Sequence, residues 1–220
     1  MILNIIHIGK TGGSAIRESI KDLVGKKTPH GKLVLSGHSG RLSTEDKFIF
    51  VIRNPVDRYV SAYLSGYREG SPRNHIPWSP QEKKYFRMFP TPNKLAEELF
   101  KNSEANEAMK NLRHVNAPLS SFLGSTENIE KCKKNILFVG STENLDEDFL
   151  KICDYIGTSV KLVTNDLMTH KTPKKYDKLK KLTAGAIKNI KKYYKEDYGI
   201  IKKIHELNFI DSETYNKLIK

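Results

Sequence analysis

Cysteine is scarce in this chain, with two among 220 residues, Cys132 and Cys153. Neither belongs to a CxxC pair or a Cys/His cluster, which removes the usual zinc-ribbon, zinc-finger and disulfide-framework patterns. Both fall in stretches that read as helical, so they are expected to be reduced and structural. Long apolar runs are missing too. None reaches the roughly 18 residues of a membrane span, and Met1 leads straight into a strand-like segment with no charged-then-apolar leader. The expectation is a protein with no membrane span and a cytoplasmic location. Internal repeats and linker-like stretches are also absent. One domain over residues 1–220 is therefore expected, large enough to bury about 70% of its unfolded surface around a single core.

Negative charge is in short supply: 25 Asp and Glu face 38 Lys and Arg, a formal net charge of +13. Such a total can signal nucleic acid, an anionic surface or a small polyanionic ligand, and its placement helps to separate these. Residues 171–203 hold twelve lysines against Asp177, Glu196 and Asp197, so nine of the thirteen net charges sit in one segment. Arginine, the side chain suited to bidentate reading of bases, is absent there, while Leu179, Leu182, Ala186, Ile190 and Tyr193 recur at helical spacing. The segment reads as the solvated face of an amphipathic helix. Attraction to nucleic acid or an anionic surface is the weaker reading.

What the chain does have is concentrated in two stretches. Residues 2–8 are nearly all apolar or β-branched and too short for a stable helix, so they read as a buried strand. Gly9, Gly12 and Gly13 break that pattern, and a helix is predicted from near Ser14, with Ile16 and Ile20 four residues apart. A strand, a glycine turn and a helix in that order aim backbone N–H groups and the positive end of a helix dipole at one point. That makes an anion site, and Lys10 adds a full positive charge to it. The nucleoside-triphosphate loop GxxxxGK[ST] is the rival reading, since Gly9-Lys10-Thr11 looks like its tail. It needs a glycine five residues before Gly9, where this chain has Asn4.

The second stretch is FIFVIRNPVDRYVSAYLSGY, with a buried strand over 48–52, a turn at Asn54-Pro55 and a helix from Pro55. Arg53 stands where strand meets turn, and Ser61 lies about two helical turns on, so guanidinium and hydroxyl can serve one phosphate. Arg58 between them reads as a structural ion pair. Tyr59, Tyr63 and Tyr67, four residues apart, read as packing. A P-loop enzyme would hold its metal on an acidic residue after this strand; none follows, and no metal requirement is expected.

Elsewhere, KLVLSGHSG reads as a second strand with His38 just beyond its end, and ligands in open parallel sheets collect at the carboxyl ends of strands. Residues 70–93 carry five prolines and Trp78, a composition that resists long regular structure and makes a candidate acceptor-side loop. Asn93 is expected to cap a helix over 94–112, with a short helix within 116–123, a strand over 136–140 and a helix over 145–156 stopped by Gly157.

With both stretches read, the sequence resembles the PAPS-dependent sulfotransferases, nearest to the carbohydrate branch with a PKTGGT-type loop. HIGKTGGSAI is similar to the family's 5′-phosphosulfate loop, and RNPVDRYVSAY to its 3′-phosphate motif of the form RxPxxRxxSxY. FVGSTENLDEDFL and KEDYGIIKKI are weaker similarities. Gly9 departs from the proline usual before the lysine, and Ser14-Ala15 from a Thr-Ser or Thr-Thr pair, which removes one hydroxyl. The resemblance implies a P-loop-like three-layer α/β fold, a central mostly parallel sheet flanked by helices. It implies 3′-phosphoadenosine 5′-phosphosulfate (PAPS) as donor, adenosine 3′,5′-bisphosphate (PAP) as product and a hydroxylated small-molecule or glycan acceptor. Lys10, Thr11, Gly12, Gly13, Ser14 and Ala15 would hold the 5′ end, and Arg53, Ser61 and Lys171 the 3′-phosphate. Lys10 would meet charge on the departing oxygen. His38 is the expected base, its unperturbed pKa near 6.5 leaving it largely neutral at pH 7; His75 and His114 are its rivals, and His7, placed within the strand, is expected to be structural. Two other readings stay open: a metal-dependent nucleotide kinase or NTPase, and a basic nucleic-acid-binding protein.

Overall fold

The computed structural model describes residues 1–37, 40–165, 168 and 171–220. Strand β1 (Ile2–Ile6) lies at the centre of a five-stranded sheet of order β2-β3-β1-β4-β5, flanked by β3 (Gly31–Ser36) and β4 (Lys47–Ile52). β5 (Ile136–Ser141) extends the sheet beyond β4, and β2 (Lys27–Thr28) borders β3. All pairings are parallel except β2 with β3. The chain leaves β1 for β3 on one side and returns to β4 on the other. That reversal opens a crevice at the carboxyl end of β1, where both loops of interest begin.

A parallel sheet must be covered on both faces, and the apolar strands meet that demand. On one face Leu3, Ile5, Leu33, Ile49 and Val51 pack against Ile16 and Ile20 of α1 (Gly13–Ile20) and Phe149, Ile152 and Ile156 of α8 (Leu145–Ile156). On the other, Ile6, Phe48, Phe50 and Ile52 meet Phe122 of α6 (Ser120–Leu123) and Ile129 of α7 (Thr126–Cys132). Ile200, Ile201 and Ile204 of α10 (Lys195–Glu206) and Leu218 of α11 (Ser212–Ile219) complete that face. The outcome is the three-layer α/β architecture that was expected. Cys132 and Cys153 are free and buried.

A further core is wholly helical. α2 (Pro55–Tyr67), α3 (Pro80–Met88), α4 (Pro92–Glu98), α5 (Ser103–Asn111) and α9 (Ala184–Tyr193) bury Tyr59, Tyr63, Phe86, Leu95, Met109 and Ile190 together. The tyrosines pack as expected: the rings of Tyr59 and Tyr63 lie 6.4 Å apart, those of Tyr63 and Tyr67 6.1 Å. The Tyr59 hydroxyl donates to the Pro92 carbonyl at 2.8 Å. Arg58 forms the predicted structural pair, Nη2 to Asp197 Oδ2 at 2.9 Å, joining α2 to α10 with both side chains buried. Asp197 Oδ1 also accepts from the Leu119 N–H at 2.8 Å.

Several expected boundaries move, for identifiable reasons. Residues 70–93 do not stay irregular, because Pro80 occupies the first helical position of α3 behind a Ser79/Glu82 capping box. Thr91, not Asn93, caps α4, where Pro92 again starts the helix, and the expected 94–112 helix breaks at an extended Leu99 before Asn102 caps α5. Leu179 and Leu182 do pack on the helical core, but from a 3-10 turn (Lys174–Lys180) and the segment after it, and α9 starts only behind the Thr183 cap. β1 ends at Ile6, which leaves His7 outside the strand. β2 was not expected at all.

Candidate functional site

The loop after β1 is held by local bonds that fix its path. The Ile8 N–H donates to the Ile6 carbonyl at 3.1 Å, and Thr11 turns inward, its hydroxyl donating to the Ile8 carbonyl at 2.9 Å. Lys10 and Gly12 take left-handed backbone angles, φ 69° and 82°. A Cβ on Gly12 would also stand 2.8 Å from the Leu145 side chain. Gly13 is needed for a different reason, since its Cβ would stand 2.6 Å from the His7 ring. α1 begins at Gly13 with no side chain capping it, which leaves the positive end of its helix dipole at the glycine turn.

The turn after β4 is built as firmly. Asn54 accepts from the Val56 and Asp57 amides at 2.8 and 3.3 Å, Pro55 supplies the first helical residue, and the Asn54 N–H donates to Glu143 at 3.1 Å. That leaves Arg53 at the strand tip beside the first loop, with Nη1 donating to the Lys10 carbonyl at 3.3 Å.

Both turns open into one cleft of about 1060 Å³. Lys10, Gly12, Gly13, Ser14, Ala15, Arg53, Ser61 and Lys171 all line it, whereas Thr11 does not. Gly70, Arg73, Asn74 and Ile76, from the loop proposed for the acceptor side, form another part of its wall. Arg73 ties that loop to its surroundings, reaching Glu18 of α1 at 3.5 Å and the Met168 carbonyl at 2.7 Å. His38 lies outside the described residues. His75 is exposed and 3.6 Å from Glu69, away from the cleft lining, while His114 lines the cleft. His7 lines it as well.

Charge in the cleft is one-sided. Burial, followed by repulsion from Arg68 and Arg53, pushes Lys10 down to a pKa of about 7. Burial likewise pulls Arg53 down, opposed by Asp57 and Glu143. Lys10 and Arg53 stand together in the lining, Arg68 is near enough to repel Lys10, and Asp57 and Asp146 are the acidic residues among the described lining, so the site is matched to a ligand with several negative charges. Sequence reasoning missed Arg68. It is the residue that follows the last turn of α2, seven after Ser61 and three after Ser65, both of which line the cleft, and that spacing was the available signal.

The Sulfotransferase family model matches residues 6–217. This chain belongs to the sulfotransferase family. No curated protein and no solved structure gives a significant match. In this sulfotransferase the family match spans both turns, the sheet between them and the helices that carry the rest of the cleft wall.

Proposed function

We propose that this sulfotransferase takes PAPS as donor and transfers its sulfuryl group to a hydroxyl of a glycan or small-molecule acceptor, releasing PAP without a metal. The observation that carries this reading is the adjacency of Lys10 and Arg53 in one cleft, on neighbouring strand tips, in mutual repulsion. A nucleotide with phosphate at both ribose ends is served by two anion sites, and the chain offers two. The loop's path depends on its glycines, since side chains at 12 and 13 would collide with Leu145 and His7, and on that path Gly12, Gly13, Ser14 and Ala15 line the cleft beside Lys10.

The bound donor supplies an activated sulfuryl group on a phosphate. The amides at the start of α1, with Ser14 and Lys10, hold that end, and Arg53, Ser61 and Lys171 hold the other. Lys10 meets the charge that grows on the oxygen being released. The acceptor hydroxyl needs a base, for which the sequence nominates His38.

Melting temperature in the presence of each nucleotide tests the proposal. PAP at about 100 times its Kd adds about 2.7 kcal/mol, a rise of roughly 5–10 °C for a chain of this size. A rise with ADP and magnesium, and none with PAP, would transfer the reading to a nucleotide kinase or NTPase.

A further inference from the structure

α9 turns Ala186 and Ile190 into the helical core, and Lys188 and Lys192, one turn apart, stand exposed on its opposite side. α4 packs against it, close enough for the Asn189 side chain to donate to the Ala96 carbonyl at 2.9 Å. Where α4 ends, the chain buries Leu99 and turns Phe100 outward, 44% exposed, with Lys101 exposed after it. Lys192 Nζ lies 4.3 Å from the centre of the Phe100 ring, which joins the two helices into one surface patch.

Two features set this patch apart from an ordinary solvated face. Phe100 has a left-handed backbone, φ 68°, in a turn where its N–H donates to Asn106 Oδ1 at 3.2 Å. Glycine or asparagine takes that angle at little cost and a bulky aromatic residue does not, so the chain accepts strain to keep a large apolar ring at the surface. The charge, moreover, is unanswered. α9 carries no acid, and the acids of α4 and α5 are engaged elsewhere: Glu97 accepts from the Thr183 hydroxyl, while Glu98, Glu104 and Glu107 pair with Lys94, Lys84 and Lys110. Among the described residues, that leaves Lys188 and Lys192 without an ion pair.

We propose that Phe100, Lys101, Lys188 and Lys192 form a docking patch for an anionic lipid bilayer. The lysines meet headgroup phosphates as point charges, and the ring enters the headgroup boundary between them. A base or a sugar would instead need the open face of the ring as a platform, and Lys192 stands over that face. The want of arginine throughout residues 171–203 points the same way, because arginine is the side chain that reads bases. None of the four residues lines the cleft, so docking leaves the donor site open.

Cosedimentation of the full chain with lipid vesicles tests the patch. At about 0.1 M NaCl the protein is expected to bind vesicles of phosphatidylcholine mixed with phosphatidylglycerol, to ignore phosphatidylcholine alone, and to be released by high salt. One lysine near such a surface is worth about fivefold in affinity, so Lys188→Gln with Lys192→Gln should weaken binding about 25-fold. Lys26→Gln with Lys27→Gln, an equal loss of net charge from exposed residues at the sheet edge, should change it less than about twofold. Phe100→Asn suits the left-handed turn, and is expected to weaken vesicle binding about fivefold while the melting temperature holds or rises. No preference for the anionic vesicles, equal weakening by both lysine pairs, or a Phe100→Asn that melts lower and binds vesicles as before would each overturn the proposal. So would single-stranded DNA or dextran sulfate binding that these variants weaken while the vesicles stay unbound, which would give the patch to a polymer.

Discussion

Lys10 makes the cleft's ligand affinity depend on pH with a definite sign. Burial and the neighbouring Arg68 and Arg53 hold its pKa near 7 in the free protein, so about half the molecules carry the charge at pH 7 and about one in ten at pH 8. A phosphate-bearing ligand supplies the missing negative charge and raises that pKa, so binding above pH 7 must take up a proton. The secondary ionisation of a phosphate lies near pH 6, which leaves Lys10 as the group that controls the window above 7. Affinity for PAP is therefore predicted to fall about tenfold per pH unit above 7, until the pKa of the complex is reached. Calorimetry at pH 8 in two buffers of different ionisation enthalpy should find close to one proton taken up per PAP. Lys10→Met should bind weakly at every pH and take up none. Stability of the free protein moves the opposite way. Because the folded pKa lies below the unfolded value of 10.5, the native state gives up this proton first, and the Lys10 contribution rises with pH from about 7 upwards. A flat affinity profile between pH 7 and 9, with no proton uptake, would refute the crowding of cations in the cleft.

The remaining predictions separate binding from folding. Arg53→Ala should weaken PAP roughly 10–100-fold, as loss of a charge-assisted contact does, and leave the melting temperature of the free protein nearly unchanged. Arg58→Ala should do the reverse: with Asp197 left buried and unpaired it costs about 3–5 kcal/mol, read as a lower denaturation midpoint. Gly12→Ala meets both a φ of 82° and the Leu145 side chain, and is expected to lose PAP binding and about 1 kcal/mol or more of stability by denaturant titration. Duplex DNA should bind weakly if at all, and any such binding should fall steeply with salt and be untouched by Lys10→Met; tight binding at moderate salt would favour the nucleic-acid reading of the lysine segment.

How much of this was legible in the chain depends on how local the signal is. β4 and the Asn54-Pro55 start of α2 were plain, because five successive apolar residues and an N-cap followed by proline leave little else to form. Gly157 stopped α8 where expected, its φ of 75° being one that glycine adopts without strain. Pro80 and Pro92 misled, since the same residue breaks a helix from inside and begins one from its first position; only the Ser79 and Thr91 caps decide between these. The two-residue β2 has no hydrophobic run to announce it and exists by pairing with β3. At the site, the glycine loop and Arg53 were readable because each follows its own strand. Arg68 was not, because its place near Lys10 depends on a neighbour distant in sequence.

The claim that one nucleotide is gripped at both ends is tested most directly by comparing PAP with adenosine 5′-monophosphate on wild-type protein and Arg53→Ala. Wild-type protein should bind PAP at least tenfold more tightly than the monophosphate, and Arg53→Ala should bring PAP down to the monophosphate's level without changing the latter. Equal weakening of both nucleotides by Arg53→Ala, or no preference for PAP in the wild type, would contradict a second phosphate site at the tip of β4.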